Sequence, residues 1–289
     1  MQQLPCRSLL FVPGDSERKI EKSQDCQADI LIFDLEDSVP ASGKPAARKL
    51  LGKILGQPFD SRKFVRVNGL NTGLIDEDLD AIMHTPPEAI VLPKCESQCD
   101  IQRLSDKLDQ LEADRGHAIG TVRILPVATE TARAVRNLMR SDWSHPRLTG
   151  LTWGAEDIAA DIGSFGNRDE NGVYTGVYQL ARDICLLAAR EARVDAIDTA
   201  FVDFKDQPRF AAECAASYKA GFDGKIAIHP AQVPTINKAF TPSEEQAAWA
   251  RQVIALLDHA DNGVAELNGQ MIDMPHRKNA ERILRSVVS

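Results

Sequence analysis

No paired cysteine motif, membrane-length apolar run, low-complexity segment or excess of positive charge occurs in the 289 residues of this chain. The six cysteines (Cys6, Cys26, Cys95, Cys99, Cys185, Cys214) are scattered, and none forms a Cys-x-x-Cys pair. Cys95 and Cys99 lack a zinc-knuckle spacing, and no paired histidines follow them. Reduced thiols in a cytoplasmic protein are the expectation. No apolar stretch approaches the ~20 residues of a membrane span. The start, MQQLPCRSLLFVPGD, has neither the basic n-region nor the long h-region and small-residue cleavage site of a signal peptide. A net charge of −8 and a pI near 5.3 argue against broad nucleic-acid binding, though not against a local basic pocket for an anionic ligand.

What is present is an ordinary globular composition, 43% hydrophobic and 26% charged, ample for a large core. The length allows two domains or one α/β barrel, whose typical size is about 250 residues. Short apolar runs alternate with helical patterns. Strands are expected at Ser8–Val12, Asp29–Leu35, Phe64–Val67, Ala89–Leu92, Ile124–Ala128, Leu148–Trp153, Ala196–Val202 and Lys225–Ile228. Between them, Ile101, Leu104, Leu108 and Leu111 make an amphipathic stripe, and Leu180, Ile184, Leu187 and Ala188 make another. Asp15 or Ser16 suits a helix cap, and Gly69 opens a loop.

Eight strands separated by helices, without a long polar linker, favour a TIM (β/α)8 barrel over residues 1–240. Residues 241–289 read as a C-terminal helix–hairpin–helix appendage, a lid or a subunit contact. Ser243 with Gln246 fits a capping box, and Asn268-Gly269 suits a type I′ turn. Pro275 starts a last helix with Ala280, Ile283, Leu284 and Val287 facing inward.

Barrel chemistry sits at the C-terminal strand ends. Those ends carry Glu36, Asp37, Arg66, Lys94, Glu130, Asp157 and His229. Consecutive parallel strands ending at Glu130 and Asp157 lie roughly 5 Å apart, so two carboxylates can reach one divalent cation. Mg2+ is satisfied by one or two protein carboxylates plus water and substrate oxygens. Both residues also suit the acidic first turn of a helix. Arg66 can grip a substrate carboxylate with its planar fork or pair with Glu36 or Asp37.

Several segments together resemble the citrate lyase β-subunit-like (CitE-like) proteins of the HpcH/HpaI aldolase superfamily, which includes malyl-CoA and citramalyl-CoA lyases. They are Arg7-Ser-x-Leu-Phe-Val-Pro-Gly14, Asp34-Leu-Glu-Asp-Ser-Val39, Arg66-Val-Asn68, Leu92-Pro-Lys94, Glu130-Thr131, Gly154-Ala-Glu-Asp157, Ala196-Ile-Asp-Thr199 and Gly221 to Gln232. The resemblance runs from residue 7 to about 285.

The resemblance implies a Mg2+-dependent carbon–carbon lyase that splits a 3-hydroxyacyl thioester, on CoA or a carrier protein, into an α-keto acid and acetyl thioester. A thioesterase, a malate- or citramalate-synthase activity, and a keto-acid-binding subunit of a larger complex are the alternatives. By the resemblance Glu130 and Asp157 hold the metal, which selects Asp157 over Glu156. Arg66, Gly154 and Ala155 join them around the substrate, with Arg7, Glu36 and Asp37 in support. Asp273, in Asn-Gly-x-Met-Ile-Asp, matches an acid/base that relatives lend to a neighbouring subunit; it equally suits a helix cap. Homotrimers are the family's tendency. Arg18, Lys19, Lys225, His229 and Pro230, near the first and last strands, are the candidates to meet CoA; His229 also suits an ordinary hydrogen-bonded strand end.

Overall fold

Alternating inward and outward side chains on short buried runs build one parallel sheet. The computed structural model describes residues 6–260 and 263–287. Residues 1–5, on which part of the leader reading rests, lie outside the described residues. In chain order the first half comprises β1 (Ser8–Pro13), α1 (Glu17–Ser23), β2 (Ile30–Asp34), α2 (Lys44–Ile54), β3 (Arg62–Arg66), α3 (Ile75–Ile82), β4 (Ala89–Leu92) and α4 (Gln98–Asp114). There follow β5 (Arg123–Pro126), α5 (Ala132–Leu138), β6 (Gly150–Thr152), α6 (Ala155–Asp161), α7 (Gly176–Glu191), β7 (Asp195–Asp198), α8 (Gln207–Ala220) and β8 (Gly224–Ala227). The chain ends in α9 (Val233–Ala239), α10 (Glu244–Asp258), the hairpin β9 (Ala265–Leu267) and β10 (Gln270–Ile272), and α11 (Met274–Arg285).

The strands run β5-β4-β3-β2-β1-β8-β7-β6 across the sheet. The ring closes where Ile124 N donates to Arg147 O at 2.8 Å and Ala128 N donates to Thr152 O at 2.8 Å. The expected (β/α)8 barrel is therefore the fold. Leu9, Ile30, Ile32, Phe64, Ala89, Val91, Leu125, Val127, Ile197 and Ile226 fill its interior. A larger apolar layer, including Leu31, Phe33, Leu51, Leu79, Leu104 and Phe210, lies between strands and helices. The period of two carries the inward rows of β2 and β3 up to Asp34 and Arg66, so these charges cap the barrel core at its C-terminal mouth.

Local signals hold at several ends. Ser16 caps α1 by accepting from Lys19 N. Ser243 and Gln246 bond reciprocally at α10, at 2.9 and 3.2 Å. Asn268 and Gly269 have φ of 53° and 78°, as a type I′ turn requires. Other readings need correction. Gly69 opens a loop as expected, and the loop leads into a helix that was not anticipated, α3, whose Ile75, Leu79 and Ile82 are buried. α7 is turned about its axis relative to the expected stripe: Tyr178, Ala181, Cys185 and Ala189 are buried, while Leu180 and Leu187 are exposed. Ile184, Leu186 and Ala188 are partly buried against the core beside them, so only Leu180 and Leu187 of the leucines face outward.

Ala250, Val253, Leu257, Ile272 and Ala280 form a satellite core joining α10, β10 and α11. Arg282 ties α11 to the loop ahead of β8, bonding Gly221 O, Phe222 O at 3.2 Å and Asp223 Oδ1 at 3.0 Å. All six cysteines are unpaired. Among the described residues no helix is long and apolar enough to cross a membrane.

Candidate active site

The mouth of the barrel is assembled from the residues that follow β2 to β6. Arg66 ends β3 inside the barrel. Its Nε and Nη2 both donate to Asp34 at 2.7 Å, and its Nη1 lies 3.1 Å from Glu36 Oε2. The guanidinium also sits 4.5 Å over the Phe11 ring. Burial opposes its charge, but Asp34 and Glu36 more than offset this and raise its pKa. The partner is therefore chiefly Asp34, which the sequence reading did not consider. With two donors held by Asp34, one edge of the fork remains beside Glu36.

Asp34 also organises the turn after β2. It accepts from Glu36 N at 2.9 Å and Ser38 N at 3.0 Å. Burial pushes its pKa up, yet Arg66 and Ser38 hold it below the usual carboxylate value. Lys44, buried at the start of α2, donates to Leu35 O at 2.7 Å and Glu36 O at 2.9 Å. The loop after β3 is held by buried Asp78, which accepts from both Asn68 nitrogens at 2.7 Å and from Arg48 Nε at 2.7 Å. Asp78 and Lys44 were missed. The only sequence signal for Lys44 was a cation opening a helix, against the dipole.

Lys94 follows β4 with φ of 51°, in the left-handed region that non-glycine residues seldom occupy. Its backbone N–H donates to Glu130 Oε2. Its ammonium lies 2.6 Å from Glu36 Oε1, 3.3 Å from Asp157 Oδ1 and 3.7 Å from Asp37 Oδ2. Burial lowers its pKa, but Glu36, Glu130 and Asp157 win and raise it.

Glu130 is buried just past β5, and Asp157 lies half-buried in the first turn of α6. Gly154 separates them for a steric reason: a Cβ there would come within 2.8 Å of Glu130 Cγ. Burial and the Asp157 charge push the Glu130 carboxyl up to about 8, although the Lys94 N–H and ammonium oppose this. Burial likewise raises Glu36. Glu156, by contrast, is exposed and accepts from Asn167 Nδ2 at 2.7 Å, so Asp157 is the carboxylate facing Lys94.

These donors fit a small hard cation. Two adjacent carboxylates, one of them deprived of solvent, form an open shell of the kind Mg2+ accepts, with water and substrate oxygens completing it. Among the described residues no group of three or more His, Cys, Asp or Glu side chains forms a ready-made metal cage.

The remaining expected residues divide. Arg18 and Lys19 are exposed on α1, just past β1. His229 and Pro230 are exposed past β8, and the His229 ring stacks on Phe204 with centroids 4.7 Å apart. His229 Nδ1 accepts from Ala231 N at 3.2 Å, a strand-end role. Lys225 is corrected: it is fully buried within β8, bonded to Asp198 at 3.1 Å, Thr199 O at 2.7 Å and Glu213 at 3.0 Å, out of reach of a CoA phosphate. Arg7 is also corrected. It precedes β1, at the end opposite the mouth, and bonds Asp29 at 2.7 and 2.9 Å and Thr241 at 2.9 Å. Asp273 caps α11, and its carboxylate lies 2.7 Å from His276 Nδ1. Among the described residues its hydrogen bonds stay within that helix.

Residues 7–230 match the HpcH/HpaI aldolase/citrate lyase family. The chain belongs to this family. It is 35% identical to the (3S)-malyl-CoA thioesterase of Cereibacter sphaeroides, over 98% of this chain and 95% of that protein. It is 30% identical to the mitochondrial citramalyl-CoA lyase of Rattus norvegicus, over 99% of this chain and 87% of that protein. The crystal structure of CitE from Mycobacterium tuberculosis, in complex with magnesium, acetoacetate and coenzyme A, superimposes with a TM-score of 0.78. That match covers 99% of each chain at 32% identity. This chain and that CitE structure thus share one fold over nearly their whole lengths.

Proposed function

We propose that this HpcH/HpaI protein is a Mg2+-dependent carbon–carbon lyase that cleaves a 3-hydroxyacyl-CoA ester to an α-keto acid and acetyl-CoA, reversibly. The reading rests on one convergence: Glu130, Asp157 and Arg66 meet at the ends of β5, β6 and β3 in a chain of this family. Glu130 and Asp157 hold the cation. Bound there, Mg2+ supplies Lewis-acid polarisation of the oxygen that passes between hydroxyl and keto forms.

Arg66, fixed by Asp34, turns its free edge to the keto-acid carboxylate. Gly154 and Ala155 line the substrate between the two carboxylates. Glu36 and Asp37 keep Lys94 and Arg66 in register. The hydroxyl proton leaves to solvent as the carbon–carbon bond breaks, the bonding pair passes to the thioester as an enolate, and a carboxylic acid gives the enolate carbon a proton. Asp273 has the chemistry for that step, and its carboxylate is engaged by His276 at the start of its own helix, α11. We assign it to the mouth of a neighbouring subunit in a homotrimer. The exposed Leu180 and Leu187 of α7 suit such a contact, and the appendage (241–289) serves it. Arg18, Lys19, His229 and Pro230 flank the anionic end of the thioester, and the cytoplasm is the compartment.

A second reading, thioester hydrolysis, is favoured by the 35% identity to a protein named (3S)-malyl-CoA thioesterase. Incubation with malyl-, citramalyl- and citryl-CoA separates the two: keto acid plus acetyl-CoA marks cleavage, whereas free CoA with intact hydroxy acid marks hydrolysis. Glu130→Ala and Asp157→Ala are each expected to lower kcat/KM at least ~10²-fold, with the fold kept by circular dichroism. Full activity in either variant would overturn the metal assignment.

A further inference from the structure

Among the described residues, Lys94 meets four carboxylates of the mouth through its backbone and side chain together. Its N–H bonds Glu130, and its ammonium reaches Glu36, Asp157 and Asp37. The left-handed backbone lets one residue point its amide at β5 and its side chain along the mouth. The side chain is 41% exposed, so an incoming ligand can touch it. Asp157 Oδ1, 3.3 Å from that ammonium, belongs to the same carboxylate that is assigned to the cation. One carboxylate thus serves two positive charges, and they compete for it.

We propose that Lys94 is a positioning residue that couples cation binding to keto-acid binding. Its charge opposes a divalent ion at Asp157, because like charges a few ångströms apart in a half-buried site repel strongly. A dication at Asp157 drives the ammonium toward Glu36 and the open mouth. There it favours the carboxylate of an arriving keto acid. Cation and anion therefore enter as a matched pair, and the linkage is reciprocal. The left-handed amide keeps Glu130 aligned throughout. This inference rests on the assignment of the cation to Glu130 and Asp157.

Calorimetric titration of MgCl2, with and without pyruvate, tests it in the full chain. Lys94→Met removes the charge and keeps the stem. Lys94→Gly removes the side chain while keeping the N–H and a conformation glycine adopts freely. In both, Mg2+ alone is expected to bind at least about tenfold tighter, and pyruvate at saturating Mg2+ at least about tenfold weaker. Lys94→Arg, which keeps the charge, should stay within about threefold of wild type for both ligands. A merely structural role would weaken both ligands together. Unchanged or weaker Mg2+ binding in both Lys94→Met and Lys94→Gly, beside a wild type that binds it, overturns the inference alone. A wild type that takes up no Mg2+, or an Asp157→Asn variant that takes it up as wild type does, overturns the assignment on which it rests.

Discussion

Gly154 shows how one missing methyl group holds a site. Glu130 packs under it so closely that alanine would clash at 2.8 Å with the carboxylate stem. Gly154→Ala is expected to cost roughly 1–3 kcal/mol by overpacking and to displace Glu130. A shift of about 1 Å in a catalytic group can lower turnover ~10²-fold, so the activity loss should exceed what the melting shift explains. Parallel Tm and kcat/KM measurements check this; unaltered kinetics would contradict it. At the same scale, Glu130, Asp157 and Arg66 were legible because charged residues stood at the ends of apolar runs. Asp34 was not. It reads as one more member of a buried strand, and only its pairing with Arg66 shows why a charge is tolerated there.

Among elements, β7 ends in the buried anchor Asp198. It accepts from Trp153 Nε1 at 2.7 Å, Arg182 of α7 at 3.1 and 3.3 Å, and Lys225 of β8 at 3.1 Å, with Ser217 of α8 also bonded. Burial pushes its pKa up, but Lys225 and Arg182 prevail and hold it well below the ordinary 3.8. A depressed carboxyl stabilises the fold above the unfolded pKa, and this is lost as pH falls through the folded one. Asp198→Asn should therefore destabilise by about 3–5 kcal/mol at neutral pH, since buried Lys225 and half-buried Arg182 lose the carboxylate charge they share. The gap to wild type should narrow only below pH 3.8, which urea unfolding across pH will test. Element type was legible from periodicity, but the rotation of α7 was not. A stripe of leucines marks an apolar face without saying whether the sheet or another surface covers it.

For the whole molecule, the appendage packs around a small core of its own, joining α10, β10 and α11. Asp273 is bonded within α11, whose Arg282 is tied to the loop at the start of β8. From Asp273 to Arg282 the helix rises roughly 14 Å. If a neighbour supplies Asp273, mixing inactive Asp273→Asn with inactive Asp157→Ala should restore activity, up to roughly a quarter of sites in a random mixture, each site drawing both groups independently. No recovery after subunit exchange, verified by mass spectrometry, would refute sharing.

The residue series alone determined the barrel. Eight apolar runs, each bounded by a helix signal, leave little other way to bury both faces of a parallel sheet. It also placed the carboxylates at the ends of β5 and β6, because strand ends are one-dimensional information. Tertiary structure decided which charges meet. Arg7 and Glu36 flank neighbouring strands in sequence, yet one precedes its strand and the other follows, so the height of the barrel separates them. Lys225 looked like a phosphate ligand until its strand proved to carry it into a buried cage. Lys94 gained its place because closure around the barrel brings the ends of β2, β4, β5 and β6 onto one rim, a convergence that exists only in three dimensions.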